Sequence, residues 1–257
     1  MHHAPRRLGS ATLGVALAGA LLTGAPAAGA PATTGDTARA PGFTSTFTNN
    51  RTGWVNVLGN WRLSQGTLRA NGIPGKRASV AHSSIYSDFY YRVDMWRRGN
   101  DSGGAANAVL IRGNTSQFFP SNGYWKSYMF QYTNNGEYSV WVVRPDGGTT
   151  MVKAWTYHPA VKKRGYNKVE IWADYYHFDF HINGTHLWSG NAFLHGLFSQ
   201  GKVGVSIHTN PGKTSDTRIT YAKLVPDASR VPRTHAPGAA AEGRTRPGGT
   251  IDEAPAP

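Results

Sequence analysis

The sequence predicts an all-β fold, two antiparallel sheets packed as a sandwich or jelly roll. Three observations lead there. Apolar and polar residues alternate with period two in runs that recur from Phe43 to Val225, as they do on half-buried strands whose side chains point alternately to core and solvent. Gly, Asn, Asp and Pro break these runs, and Asn134-Asn135-Gly136, Pro145-Asp146-Gly147-Gly148 and Asn183-Gly184 have the chemistry of tight hairpin turns. No long window has helical periodicity, and no repeat of fixed period suggests a propeller.

Residues 1–32 read as a secretory signal peptide. Arg6 and Arg7 precede an apolar run from Leu8 to about Thr23, and small residues follow, with cleavage expected after Ala27 or Ala32. The mature protein is therefore expected to be secreted, extracellular and free of the membrane. Residues 33–42 form a linker of small and proline residues. Strands are expected near 43–47, 61–63, 67–70, 78–82, 88–96, 107–112, 124–132, 138–143, 151–156, 167–173, 177–182, 185–188, 202–208 and 218–225. The tail, 226–257, holds almost no large apolar residue and is expected to be disordered. With no cysteine in the chain, an exported domain spanning 43–225 must be stabilised by core burial alone.

The run from Asn167 to Trp188 is the most informative. Val169, Ile171, Ala173, Phe178, Phe180 and Ile182 fall on one face. Glu170, Trp172, Asp174, His177, Asp179 and His181 fall on the other. In the run Asp88–Trp96, the residues Tyr90, Arg92, Asp94 and Trp96 share a polar and aromatic face with Asp88. The two faces would form one groove if both strands lie in the same sheet. Phe118, Phe119, Tyr124 and Trp125 form an aromatic cluster on what the pattern makes an exposed turn, and such patches usually contact something.

Charge narrows the choice of partner. The folded segment 43–225 holds 20 basic and nine acidic residues, so it attracts polyanions. No nucleic-acid motif is present and export argues against that partner. A uronic-acid polysaccharide, a wall polyanion, or simply a solvated basic surface remain as readings of the charge.

The order GNWRLSQGTLRA (59–70), SDFYYRVDMW (87–96), NAVLIRGN (107–114), YMFQYTNNGEYSVWVV (128–143), YNKVEIWA (166–173), FDFHINGTHLWSG (178–190) and GKVGVSIH (201–208) resembles the secreted concanavalin A-like lectin and glucanase domains, the laminin-G-like jelly-roll β-sandwiches. The resemblance covers about residues 43–225. It implies a curved two-sheet sandwich whose concave face or rim loops hold sugar, in a superfamily of lectins, binding modules, hydrolases, lyases and adhesion domains.

The glucanase catalytic strand needs alternating carboxylates, with the two that react about 5–5.5 Å apart. Here His177-Phe178-Asp179-Phe180-His181 offers imidazoles at both decisive places, so no catalytic residue is assigned. Neighbours on one strand face lie about 6.5–7 Å apart, which lets Asp179 and one histidine meet but leaves a metal short of ligands. Asn100-Asp101-Ser102-Gly103-Gly104 resembles part of a calcium loop without enough ligands. No metal or cofactor is assigned.

The expected function is thus a non-catalytic, lectin-like carbohydrate-binding domain for a polysaccharide, an acidic one among the candidates. Tyr90, Trp96, Trp125 and Trp172 would stack on sugar rings; Arg92, Asp94, Glu170, Asp174, His177, Asp179 and His181 would bond hydroxyls. Two alternatives stay open. One is a polysaccharide lyase, for which Tyr124, Lys126 and His208 are the right residue types. The other is an extracellular adaptor or adhesion domain with a protein partner.

Overall fold

The computed structural model describes residues 40–99, 105–119, 123–163, 165–191 and 198–233. The signal-peptide reading, most of the linker, the calcium-like fragment at 100–104 and the tail beyond Arg233 lie outside the described residues.

Strands are numbered in chain order. One sheet runs β13 (Thr185–Asn191), β12 (His177–Ile182), β11 (Tyr166–Asp174), β6 (Phe89–Gly99), β15 (Ser215–Pro226), β4 (Thr67–Gly72) and β3 (Trp61–Ser64), with β1 (Phe43–Ser45) paired along the second half of β15. The other runs β10 (Thr149–Tyr157), β9 (Glu137–Val143), β8 (Tyr124–Thr133), β7 (Ala106–Phe119), β14 (Lys202–His208), β5 (Arg77–His82) and β2 (Trp54–Leu58). Every pairing is antiparallel. The only helical element among the described residues is one 3-10 turn, Ala228–Arg230.

The period-two alternation dictates the core. Phe89, Tyr91, Val93 and Met95 of β6, Val169 and Ile171 of β11, and Phe178, Phe180 and Ile182 of β12 face inward. They meet Val109, Phe130, Val140, Val205 and Ile207 from the second sheet. Phe130 sits edge-on to Phe178 and Phe180, with centroids 5.9 and 5.2 Å away, an arrangement that suits the ring quadrupoles. Asn183 and Gly184 form the β12–β13 turn at φ 54° and 81°. That positive pair is what a two-residue hairpin with the right strand twist requires.

Several boundaries differ from the expectation: β7 runs on to Phe119, past the expected end at 112, β10 and β15 begin earlier than expected, and two further differences have a physical reason. β2 has apolar residues at four of its five positions, so it shows no alternation and the pattern does not mark it. The chain does not leave the domain at Val225. Residues 226–233, read as the start of a disordered tail, fold back over the eight-stranded sheet, with Ala228 buried. Small and polar contacts hold this segment, and a search for large apolar residues does not find those.

Candidate functional site

β6 and β11 are hydrogen-bonded neighbours, so the two polar faces do join. Register places Tyr90 opposite Trp172, Arg92 opposite Glu170 and Asp94 opposite Lys168. On the far side of β11, Glu170 faces His181, Trp172 faces Asp179 and Asp174 faces His177. Ten of the eleven expected residues therefore share the outer face of the eight-stranded sheet. Trp125 does not.

Trp125 lies on the outer face of the seven-stranded sheet and is fully buried. Its indole donates to Ser79 Oγ at 2.7 Å. It also rests on Gly113 and Gly204, where any added Cβ would collide with the ring. The aromatic cluster around it is not an exposed turn. Phe118 and Phe119 pack with Tyr124, Trp125, Trp141 and Met129 as a second apolar cluster, while residues 120–122 lie outside the described residues. On the same face Gln131 and Ser206 are buried without hydrogen-bond partners for their side chains.

The shared face divides into a covered centre and an open flank. At the centre the Tyr90 hydroxyl donates to Glu170 Oε1 at 2.8 Å, and the Lys168 ammonium stands 2.9 Å from Oε2. Burial, and then the adjacent Glu170 carboxylate, push the Tyr90 phenol far above its ordinary value, so it stays a donor. The Trp172 ring packs 4.7 Å from both Tyr90 and His181, and its Nε1 donates to the Val231 carbonyl at 3.2 Å. Trp172 is 2% exposed. It and Tyr90 are covered by the folded-back segment and present no ring to a ligand.

Asp179 is also enclosed. The Ser189 hydroxyl donates to its Oδ1 at 2.5 Å, His177 Nε2 lies 3.1 Å from the same oxygen, and Arg233 Nε lies 3.0 Å from Oδ2. Arg233 also reaches Asp174 at 3.6 Å. Burial pushes the Asp179 carboxyl up, but Ser189, His177 and Arg233 outweigh it and hold the group below its ordinary value. A carboxyl depressed in the folded state stabilises the fold above its unfolded pKa of about 3.9 and loses that contribution as pH falls through the folded value. Acid is therefore expected to weaken the fold below about pH 4. The Asp179→Asn variant should lose part of that acid slope in urea unfolding followed from pH 7 downward; an unchanged slope would remove Asp179 from the account. Among the described residues no group of three His, Asp or Glu side chains is arranged to hold a metal ion.

Of the open flank, the sequence marks Trp96, Arg92 and Asp94, but not Tyr166 or the arginines aligned with them. One row of paired residues crosses five strands: Tyr166 on β11, Trp96 on β6, Arg218 on β15, Arg69 on β4 and Arg62 on β3. At about 4.8 Å per strand the row is roughly 19 Å long. Tyr166 is 42% exposed and lies 5.5 Å from the half-buried Trp96, with the planes 31° apart. The Arg98 guanidinium sits 4.5 Å above the Trp96 ring. Asp216 bridges Arg69 and Arg218 at 2.6 and 3.0 Å, and Asp94 takes both oxygens to Arg92 at 2.8 and 2.6 Å. Arg62, Arg69, Arg92, Arg98, Lys168, Arg218 and Lys223 thus outnumber the acids they meet, Asp94, Glu170 and Asp216. Strand alternation alone would have placed Arg62, Arg69 and Arg218 outward; only the register brings them into line with Trp96.

Neither a protein-family model nor a curated protein matches the chain. Solved structures do match. A β-glucanase of Bacillus licheniformis superposes with a TM-score of 0.56 at 10% identity, over 72% of this chain and 98% of its own. The carbohydrate-binding module CBM66 of Bacillus subtilis gives 0.51 at 18%, over 67% and 96%. The fold is a concanavalin A-like jelly roll. The metal-free carbohydrate recognition domain of Emp46p shares this jelly roll at a TM-score of 0.53 and 12% identity, over 71% of this chain and 95% of its own. Identities this low establish the architecture and leave the chemistry of the face to this chain's own residues.

Proposed function

We propose that the chain is an exported polysaccharide-binding domain without chemistry of its own, and that its ligand is acidic. The row Tyr166–Trp96–Arg218–Arg69–Arg62 is the observation that supports this most directly. A sugar ring offers an apolar face to Trp96 and Tyr166, while planar guanidinium groups match carboxylates in a two-bond fork. Arg218 and Arg69 share the single carboxylate of Asp216, so the row keeps an excess of positive charge that draws a polyanion and holds it in extended form. That a carbohydrate-binding module and a carbohydrate recognition domain share the jelly roll agrees with the reading.

The test is titration of the full chain with polygalacturonate and, separately, with neutral dextran. Polygalacturonate is expected to bind preferentially, and raising salt should weaken it. Trp96→Ala should weaken it about ten-fold, since one lost stacking contact is worth on the order of 1.4 kcal/mol. Equal affinity for the two polymers, or a folded Trp96→Ala variant that binds as before, would overturn the assignment. New unsaturated ends in the polygalacturonate would instead identify a lyase.

A further inference from the structure

We propose that residues Asp227–Arg233 form a removable strap over a second subsite, made by Trp172, Tyr90, Glu170 and His181, which takes an uncharged sugar ring. A permanently covered sheet face is normally apolar, because burying apolar area is what stabilises a cover. Here the cover buries the Trp172 and Tyr90 rings, but its own side chains contribute little apolar surface. Ala228 is its one buried apolar side chain, Val231 and the preceding Val225 pack only partly, and they meet Tyr90 and Trp172. The remaining attachments are polar. They are the indole bond to the Val231 carbonyl, the amide of Asp227 on the Asp88 carbonyl at 2.9 Å, and the Arg233 ion pairs with Asp179 and Asp174. Asp227, Ser229 and Arg230 bond mainly to one another. A segment with few apolar contacts opens at much lower free energy than the strands beneath it.

What lies beneath has the composition of a sugar site. Trp172 supplies a flat ring, and Tyr90, Glu170 and His181 supply a hydroxyl, a carboxylate and an imidazole within one patch. Glu170 and Asp179 accept from hydroxyls and would repel a uronate, so this subsite selects a neutral ring. The arginine row selects an acidic one. Both lie on one sheet face and meet at Lys168 and Arg92, so one heteropolymer chain could engage both once the strap lifts.

The decisive experiment uses the full chain carrying Arg233→Glu, which sets a third carboxylate against Asp179 and Asp174. Val231→Asp serves as a second route to the same release. Acrylamide quenching reports exposure of the indole, with an added Trp172→Leu change assigning the signal. Neutral hexasaccharides of glucose, mannose, xylose and N-acetylglucosamine are the ligands tested. Release should raise the quenching and raise affinity for at least one hexasaccharide by about ten-fold, with Trp172→Leu abolishing both gains; polygalacturonate binding at the arginine row should persist. Unchanged quenching in folded variants would overturn the proposal. So would raised quenching without hexasaccharide binding, or failure of both variants to fold, since the segment would then be an integral part of the sandwich.

Discussion

Phe180→Ala is expected to lower the unfolding free energy by about 3–5 kcal/mol, a large share of the roughly 5–15 kcal/mol that holds a domain together. Phe180 is fully buried in the middle strand of the β11–β12–β13 meander. Its ring packs against Phe130 and Tyr138 of the facing sheet, with centroids 5.2 and 6.0 Å away. Ile171 and Trp188 flank it on the neighbouring strands, so the walls of the cavity belong to two sheets and cannot close on it without moving one. With no disulfide to share the load, the loss should appear in full as a lower urea midpoint at unchanged slope. A loss below 1 kcal/mol would mean that the sheets repack freely, contrary to the interdigitated contacts. The same strand turns Asp179 and His181 outward, and a slack inner face would also loosen the contacts that Ser189 and Arg233 make with Asp179.

What the sequence makes legible follows from the range of each physical signal. Alternation is local, so it marks β6, β11 and β12 and sorts their side chains between faces without reference to anything distant. Phe180 inward and Asp179 outward come from that rule alone. It fails at β2, where Trp54-Val55-Asn56-Val57-Leu58 has no contrast between successive positions and Val55 stays 54% exposed on an edge. Which strands are neighbours is a long-range matter. The pairing of β6 with β11 joins Tyr90 to Glu170 across 80 residues, and the expected groove depended on that pairing without fixing it. The arginine row is harder still, since it needs the register of five strands at once. Its members look like ordinary solvated charges when each strand is taken alone. The folded-back segment is hidden for a different reason: its contacts are carbonyls, ion pairs, one alanine and the partly packed Val231, and these leave little hydrophobic trace in the sequence. Trp172 therefore looked like a stacking platform, although the structure gives it a cover.

Trp125→Ala should have an effect as large as Phe180→Ala, about 3–5 kcal/mol, and for a reason the sequence disguises. The aromatic run at 118–125 looks like an exposed contact loop because Pro120, Ser121, Asn122 and Gly123 interrupt it. Strand pairing instead continues to the end of the β7–β8 hairpin, with Phe118 opposite Trp125 and Phe119 opposite Tyr124. Register shifts lie between Ile111 and Asn114 and between Asn114 and Phe118, and such irregularities bend a hairpin out of its sheet plane. The indole then covers Gly113 and Gly204 and reaches Ser79 on β5. Both glycines are needed where they are, because a Cβ at Gly113 would come within 2.0 Å of the ring. Truncation removes the apolar area, leaves a cavity over two residues without side chains to fill it, and strands the Ser79 hydroxyl in a dry site. Trp125→Phe keeps most of the area and loses only the hydrogen bond, so it should cost about 1–2 kcal/mol. Because Trp125 belongs to the sheet opposite the arginine row, polygalacturonate affinity per folded molecule should be the same in both variants. If Trp125→Ala instead leaves urea unfolding untouched and weakens polygalacturonate, the binding face is the outer side of the seven-stranded sheet. The aromatic hairpin would then be a platform for the ligand, and the unpartnered Gln131 and Ser206 its first polar contacts.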